Sequence, residues 1–256
     1  MNMKKRGQVT TFMIVGLVIL IIFVILFMLR DSILEGIKGA EGTKQILNGV
    51  VEEMDFKIAD CIDKEADAAI ITLGKQGGTF TLTNFRDFTG EKINYLCFGM
   101  PDSDKCSNSG LTRIELENEL TNYLTPRVKN CVNIESFRDD QRYEMQVGDF
   151  EFKTNIFDKS VLFNITYPIT LKRKEIEAKV FGFSKTVESP LGLIQNVVSD
   201  ILNIESEFGS FDNVMYTLSK KSEFTIIQKR PIPDTIYVIT HRDYPYEFQF
   251  AIKGEE

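Results

Sequence analysis

The chain has 256 residues, a formal net charge of −7 and 43% hydrophobic residues, with 20 Phe and 8 Tyr but no Trp. That composition can build real hydrophobic cores and excludes disorder on the scale of the whole chain. An acidic balance also argues against nucleic acid as a partner, since nucleic acid calls for clustered positive charge.

Lys4, Lys5 and Arg6 come first, followed by Gly7 and Gln8, and from Val9 to Leu29 there are 21 consecutive uncharged residues. At ~1.5 Å per residue, a helix over that run spans ~31 Å, enough for the hydrocarbon core of a bilayer. A secretory signal would be shorter and followed by a small-residue cleavage site, whereas this run ends at "RDSILEG". The positive-inside rule then places the N-terminus in the cytoplasm and everything from Arg30 onward outside. Removing the three N-terminal cations leaves 27 Lys+Arg against 37 Asp+Glu, so the exported part carries −10. Such a surface is soluble and self-repelling.

Residues 31–44 contain Gly36, Gly39 and Gly42. They read as a flexible spacer, the rival being one helix continuing out of the membrane at a cost of ~1 kcal/mol per glycine. From Thr43 the helical period is clear: Ile46, Val50, Met54, Ile58 and Ile62 recur every four residues, joined by Leu47, Cys61, Ala66, Ala69 and Leu73. Glycines in "LGKQGG" supply the stop. With no strand before it and no GK[ST], that stretch reads as a cap and turn and not as a phosphate loop.

Short strands fit residues 79–85 and 92–98 around a turn at Gly90. Thr112 and Glu115 then form a capping box, with Leu111 and Leu116 at the staple positions. The helix they start runs through Leu120, Leu124, Val128 and Val132, and Pro126 must kink it or restart it with Thr125 as a new cap. Beyond a weak boundary near 138–141 the period changes to two. Strands are predicted over 143–157, 160–172 and 178–188, with "FDKS" as the first turn, and an amphipathic helix over 191–205. "EFTIIQ", "TIYVIT" and "YEFQFAI" close the chain as strands.

The expected fold class is α+β: one N-terminal transmembrane helix, then a disulfide-stapled ectodomain of amphipathic helices on antiparallel sheet. Its divisions are a cytoplasmic leader (1–7), the membrane helix (8–29), a spacer (30–44), a helix-hairpin-helix region with four Cys (45–140) and a β-rich α+β region (141–256).

All four cysteines, Cys61, Cys97, Cys106 and Cys131, fall outside the membrane, and an even count in an oxidising setting argues for disulfides. Zinc sites favour C-x2-4-C pairs, which are absent here. Three pairings are open. Cys97 and Cys106 flank a hydrophilic loop and could close it locally. Cys61 and Cys131 each lie beside an apolar helix seam and would meet if the two helices pack seam to seam.

Candidate chemistry is sparse, and no catalytic residue, metal site or cofactor is expected. The single histidine, His241, sits in the turn-like "THRDYPY" and reads as a surface residue. No nucleophile elbow, Walker loop or dinucleotide fingerprint occurs. Acidic pairs such as Glu52-Glu53, Asp139-Asp140 and Glu205/Glu207 are cheap in a chain with 37 acids. Asn164-Ile165-Thr166 is a glycosylation sequon, usable if Asn164 faces solvent.

The order of charge, Gly7, Gln8 and apolar run resembles the class III signal peptides of archaeal type IV pilins and related surface proteins. The resemblance implies cleavage by a prepilin-type peptidase between Gly7 and Gln8, with the apolar helix retained in the membrane or a filament core. Phe12 stands at the fifth mature position, where many pilins carry Glu. Residues 61–80, 128–137, 161–174 and 246–253 are similar to uncharacterised exported proteins of DPANN archaea. These readings together point to a non-enzymatic, single-pass cell-surface protein with an extracellular C-terminal domain. Its expected partners are the membrane, the peptidase and other copies through Val9–Leu29, in a filament or an adhesion assembly. The alternatives are an uncleaved tethered binding module and, third, a tethered cell-wall hydrolase.

Overall fold

A computed structural model describes residues 7–220 and 223–254, with the side chains of 7–12 and 29–39 outside the described set. The first element, α1, is a single helix of 69 residues, Gly7–Lys75. Its second half buries Leu47, Val50, Met54, Ile58, Ile62, Ala66, Ala69 and Leu73, the stripe that the sequence spacing prescribes, except that Ile46 at its head is only half-buried. The spacer expected over 30–44 does not interrupt it. Extending a formed helix adds one hydrogen bond per residue and no new nucleus, so three glycines lower its stability without breaking it. A side chain at Gly42 would meet nothing within 4 Å, so no tertiary contact bends the chain there. The helix stops where Gly77 and Gly78 turn to φ +75° and +92° and Gly78 N–H donates to Leu73 O at 2.8 Å.

β1 (Phe85–Phe88) and β2 (Glu91–Gly99) form a hairpin whose two turn residues, Thr89 and Gly90, both have positive φ. The strand expected over 79–85 is displaced to β1. Residues Thr79 and Phe80 are held instead by the next helix, α2 (Arg113–Val132), where Glu119 Oε2 accepts from Thr79 Oγ1 at 3.1 Å and Phe80 N–H at 2.8 Å. Phe80 also stacks on Tyr123 at 3.7 Å. A third short strand, β3 (Cys106–Asn108), pairs with β2. α2 begins with the Thr112/Glu115 capping box and buries Leu116, Leu120, Leu124, Val128 and Val132. Pro126 removes one helical hydrogen bond, yet the helix neither ends nor restarts. Thr125 Oγ1 donates back to Thr121 O at 2.6 Å and caps nothing.

After the one-turn α3 (Glu135–Arg138) come β4 (Glu144–Val147), β5 (Glu151–Ile156), β6 (Ser160–Arg173) and β7 (Ile176–Glu188), one four-stranded antiparallel sheet. The sequence pattern suggested one strand over 143–157; the structure has two, both pairing with β6. The cause sits on β6. Pro168 has no N–H to give the neighbouring strand, and at that level the chain departs through Gly148, whose N–H donates to Pro168 O at 2.8 Å. β5 is an edge strand, and α2 blunts it: Thr154 N–H donates to Thr121 Oγ1 and Ile156 N–H to Glu117 Oε1, at 3.1 and 2.7 Å.

α4 (Leu191–Phe208) and the short α5 (Asn213–Ser219), which no sequence signal had indicated, lead into β8 (Phe224–Lys229), β9 (Thr235–His241) and β10 (Glu247–Lys253). These strands do not stay with the 141–256 region. β10 pairs in parallel with β2, giving a six-stranded sheet in the order β1-β2-β10-β9-β8 with β3 beside β2. One buried cluster runs from Leu47 on α1 through α2, both sheets and α4 to Ile252. The division at 140 therefore marks a change of period and not a boundary between cores. The fold is α+β, with one parallel pair among otherwise antiparallel strands.

Candidate functional site

The N-terminal half of α1 differs from everything else in the fold. Every described side chain from Met13 to Met28 is exposed, including Phe23 at 71% and Met28 at 77%. Burial on the described part of α1 begins only at Thr43, about 22 Å further along the axis at 1.5 Å per residue. Fifteen large apolar side chains in this stretch, all but Gly16, are left exposed by the rest of the described residues. At 1.5–3 kcal/mol for a fully buried side chain of this type, covering them is worth on the order of 20 kcal/mol. That exceeds the ~5–15 kcal/mol net stability of a whole domain. Among the described residues no helix is long and apolar enough to cross a membrane. Gly7 and Gln8 lie in the first turn of α1, and their side chains fall outside the described residues.

Two disulfides hold the globular part. Cys61 and Cys131 join α1 to α2 across 70 residues, with Cα atoms 5.8 Å apart, and Cys97 and Cys106 join β2 to β3 across 9 residues. In the chain-entropy description the long loop contributes ~4.4 kcal/mol and the short one ~2.6 kcal/mol. Cys61 can reach Cys131 because the two apolar stripes pack against each other, which puts the residues flanking each stripe face to face.

Asn164 lies on β6, half-buried on the face turned away from the core, and its Nδ2 donates to Asn155 Oδ1 at 3.3 Å. Thr166 shares that face and is exposed, as the alternation of a strand requires.

His241 is not a surface residue. It ends β9 at 6% exposure, its ring set edge-on against Phe224 and Tyr244 at 5.1 and 5.0 Å. Its Nδ1 accepts from Asp243 N–H at 3.1 Å. The turn residues that suggested exposure lie just after it, while the strand's alternation carries the ring itself inward.

One member of each acidic pair is engaged in a structural contact. Glu53 pairs with Lys57 and Asp140 with Arg142. Glu205 accepts a hydrogen bond from the Tyr237 hydroxyl, which in turn accepts from Gln228 at 2.8 Å. Burial first, and Glu205 second, push the Tyr237 phenol far above its ordinary range. Among the described residues no group of three or more His, Cys, Asp or Glu is placed to hold a metal ion.

Two polar features escaped the sequence. Asp234, only 3% exposed, accepts from Tyr95 Oη at 2.7 Å and Gly254 N–H at 3.0 Å and pairs with Arg86 at 3.2 Å. Burial, then Asp234, raises the Tyr95 phenol to about 12. The Tyr95–Asp234 contact joins residues 139 apart, and periodicity carries no signal for it. The second is a hollow of about 430 Å³ beside the β6–β7 turn, walled by Arg142, Lys172, Arg173 and Lys174 with Gln141, Tyr143 and Glu144. No protein-family model matches this chain, and neither the curated proteins nor the solved structures compared with it gave a match.

Proposed function

We propose that this is an exported cell-surface protein, held by its N-terminal helix and assembled through that helix in a pilin-like manner. The reading rests chiefly on one observation: an unbroken helix carries fifteen large apolar side chains that nothing among the described residues covers. Something else must cover them, and lipid tails and the same stretch of other copies are both dry and apolar enough to do so.

In this account Val9–Leu29 spans the bilayer before assembly, since the whole uncharged run has the length of a hydrocarbon core. A prepilin-type peptidase cuts between Gly7 and Gln8 on the cytoplasmic side. Continuity of α1 from Gly7 to Lys75 supports the reading mechanically, because a single rod couples the apolar shaft to the globular head without a slack joint. Two disulfides in the head suit an oxidising exterior. Function is physical here: helix burial anchors, and an acidic head faces outward.

Extraction and electron microscopy test it. The account expects the protein to resist high salt and to need detergent for extraction, and expects ordered filaments on native cells or from the solubilised protein. Extraction by salt alone would sink the anchoring claim. A detergent-requiring protein that never forms filaments would replace assembly with a tethered binding module.

A further inference from the structure

The hollow beside the β6–β7 turn gathers four cations, Arg142, Lys172, Arg173 and Lys174, on an otherwise acidic chain. Lys172, Arg173 and Lys174 are consecutive, and Arg142, two residues before β4, lines the same hollow as Glu144, the register partner of Lys172. Carboxylates are present but largely committed. Asp140 feels the field of Arg173, yet its oxygens bond the Arg142 guanidinium at 2.6 to 3.0 Å. Glu177 pairs with Lys179 at 3.3 Å. Glu144 on the wall, Glu175 in the turn and Glu177 across from Lys172 stand beside Lys172, Arg173 and Lys174, none of which has an ion-pair partner within 4.0 Å among the described residues.

Two observations suggest that this arrangement is kept for a ligand. Nη1 of Arg173 is buried and bonds nothing among the described residues, so one nitrogen of the guanidinium lacks an acceptor although Asp140 shares its charge environment. Lys174 holds φ +56° in a two-residue turn, a left-handed conformation that glycine or asparagine would adopt with less strain. The site also has a definite place along the rod. Lys185 on β7 pairs with Asp63 on α1 at 2.7 Å, and Arg142 feels Glu53. Glu53 stands ten residues before Asp63 on α1, so the hollow lies toward the end of the head that faces the apolar shaft.

We propose that Lys172, Arg173 and Lys174 form a binding site for a phosphate-class oxyanion. Arg173 supplies a planar fork, and the two lysines supply point charges around it. A free phosphate and the phosphate of an anionic lipid headgroup share this chemistry. The lipid source rests on the anchoring proposed above, whereas affinity for the oxyanion itself does not.

The test uses the full chain in a neutral, phosphate-free detergent. Inorganic phosphate, titrated at constant ionic strength made up with sodium chloride, is expected to raise the melting temperature saturably. Arg173→Lys keeps the charge but loses the fork, and Lys172→Gln with Lys174→Gly removes two cations while relaxing the turn. Each is expected to weaken the response by about tenfold or more, and the Lys174→Gly change keeps the fold at least as stable. A second arm places the full chain in nanodiscs of phosphatidylcholine, alone or in equimolar mixture with phosphatidylglycerol, and follows hydrogen exchange at 172–176. Protection only with phosphatidylglycerol identifies the headgroup as the source, and a phosphate response without it identifies the free anion. No response in either arm, or equal responses in wild type and variants, overturns the site. A chain that will not enter nanodiscs counts against the anchoring alone, because the phosphate arm still reads the site.

Discussion

Removing one bridge at a time separates two contributions that the fold combines. In a Cys97→Ala/Cys106→Ala variant only the Cys61–Cys131 bridge remains, closing 70 residues. Comparing that variant oxidised and reduced isolates the bridge, because reduced thiols fill the same volume. Loop closure over 70 residues sets the difference at ~4.4 kcal/mol, equivalent to roughly 9–18 °C in Tm at 2–4 °C per kcal/mol for a domain of this size. The complementary Cys61→Ala/Cys131→Ala variant retains the 9-residue loop, and its oxidised and reduced forms should differ by only ~2.6 kcal/mol. Urea denaturation of the detergent-solubilised chain, followed by far-UV circular dichroism, gives both numbers by linear extrapolation. Equal contributions, or a larger one from the short loop, would refute the reasoning. The bridges would then act through native-state packing and not through the unfolded chain.

Four further outcomes are expected. Gly42→Ala should stabilise α1 by up to ~1 kcal/mol, since the new methyl meets nothing within 4 Å. Gly74→Ala should destabilise in the same urea assay, because its Cβ would collide with Glu247 O on β10. Hydrogen bonds from Thr112 hold the Glu115 carboxyl below its ordinary value of 4.5. A depressed carboxyl contributes stability above that value and loses it as pH falls through the folded pKa. Thr112→Ala should therefore cost ~1 kcal/mol near neutrality and flatten the acid limb of a stability–pH curve; an unchanged limb would contradict the capping box. The Tyr95 phenol, raised to about 12 by burial and then Asp234, should ionise at lower pH in Asp234→Asn, as read by difference absorbance against Tyr95→Phe.

Local signals carried most of the elements. The capping box at Thr112, the four-residue stripe from Leu47 to Leu73 and the amphipathic α4 rest on spacings within one turn or two, which sequence displays directly. What failed depended on a distant partner. Pro168 splits its neighbour into β4 and β5 from across the sheet, and Glu119 draws Thr79 and Phe80 away from a strand. Parallel pairing of β10 with β2 needs no turn between them, so nothing local marks it. Turn residues after His241 signal exposure, while strand alternation decides its burial. Each glycine of 30–44 lowers helix stability by itself, yet helix continuity is a cooperative property. For the candidate site, the apolar run and all four cysteines were visible, whereas the hollow at Lys172–Lys174 needed β4 brought opposite the β6–β7 turn.

The most direct test of the central claim is the N-terminal residue of the protein purified from its native membrane, determined by mass spectrometry. The account predicts a mature chain beginning at Gln8, with the apolar helix retained. A chain beginning at Met1 or Asn2 would contradict it, leaving Lys4, Lys5 and Arg6 as a topology signal and the protein as a single-pass tethered module.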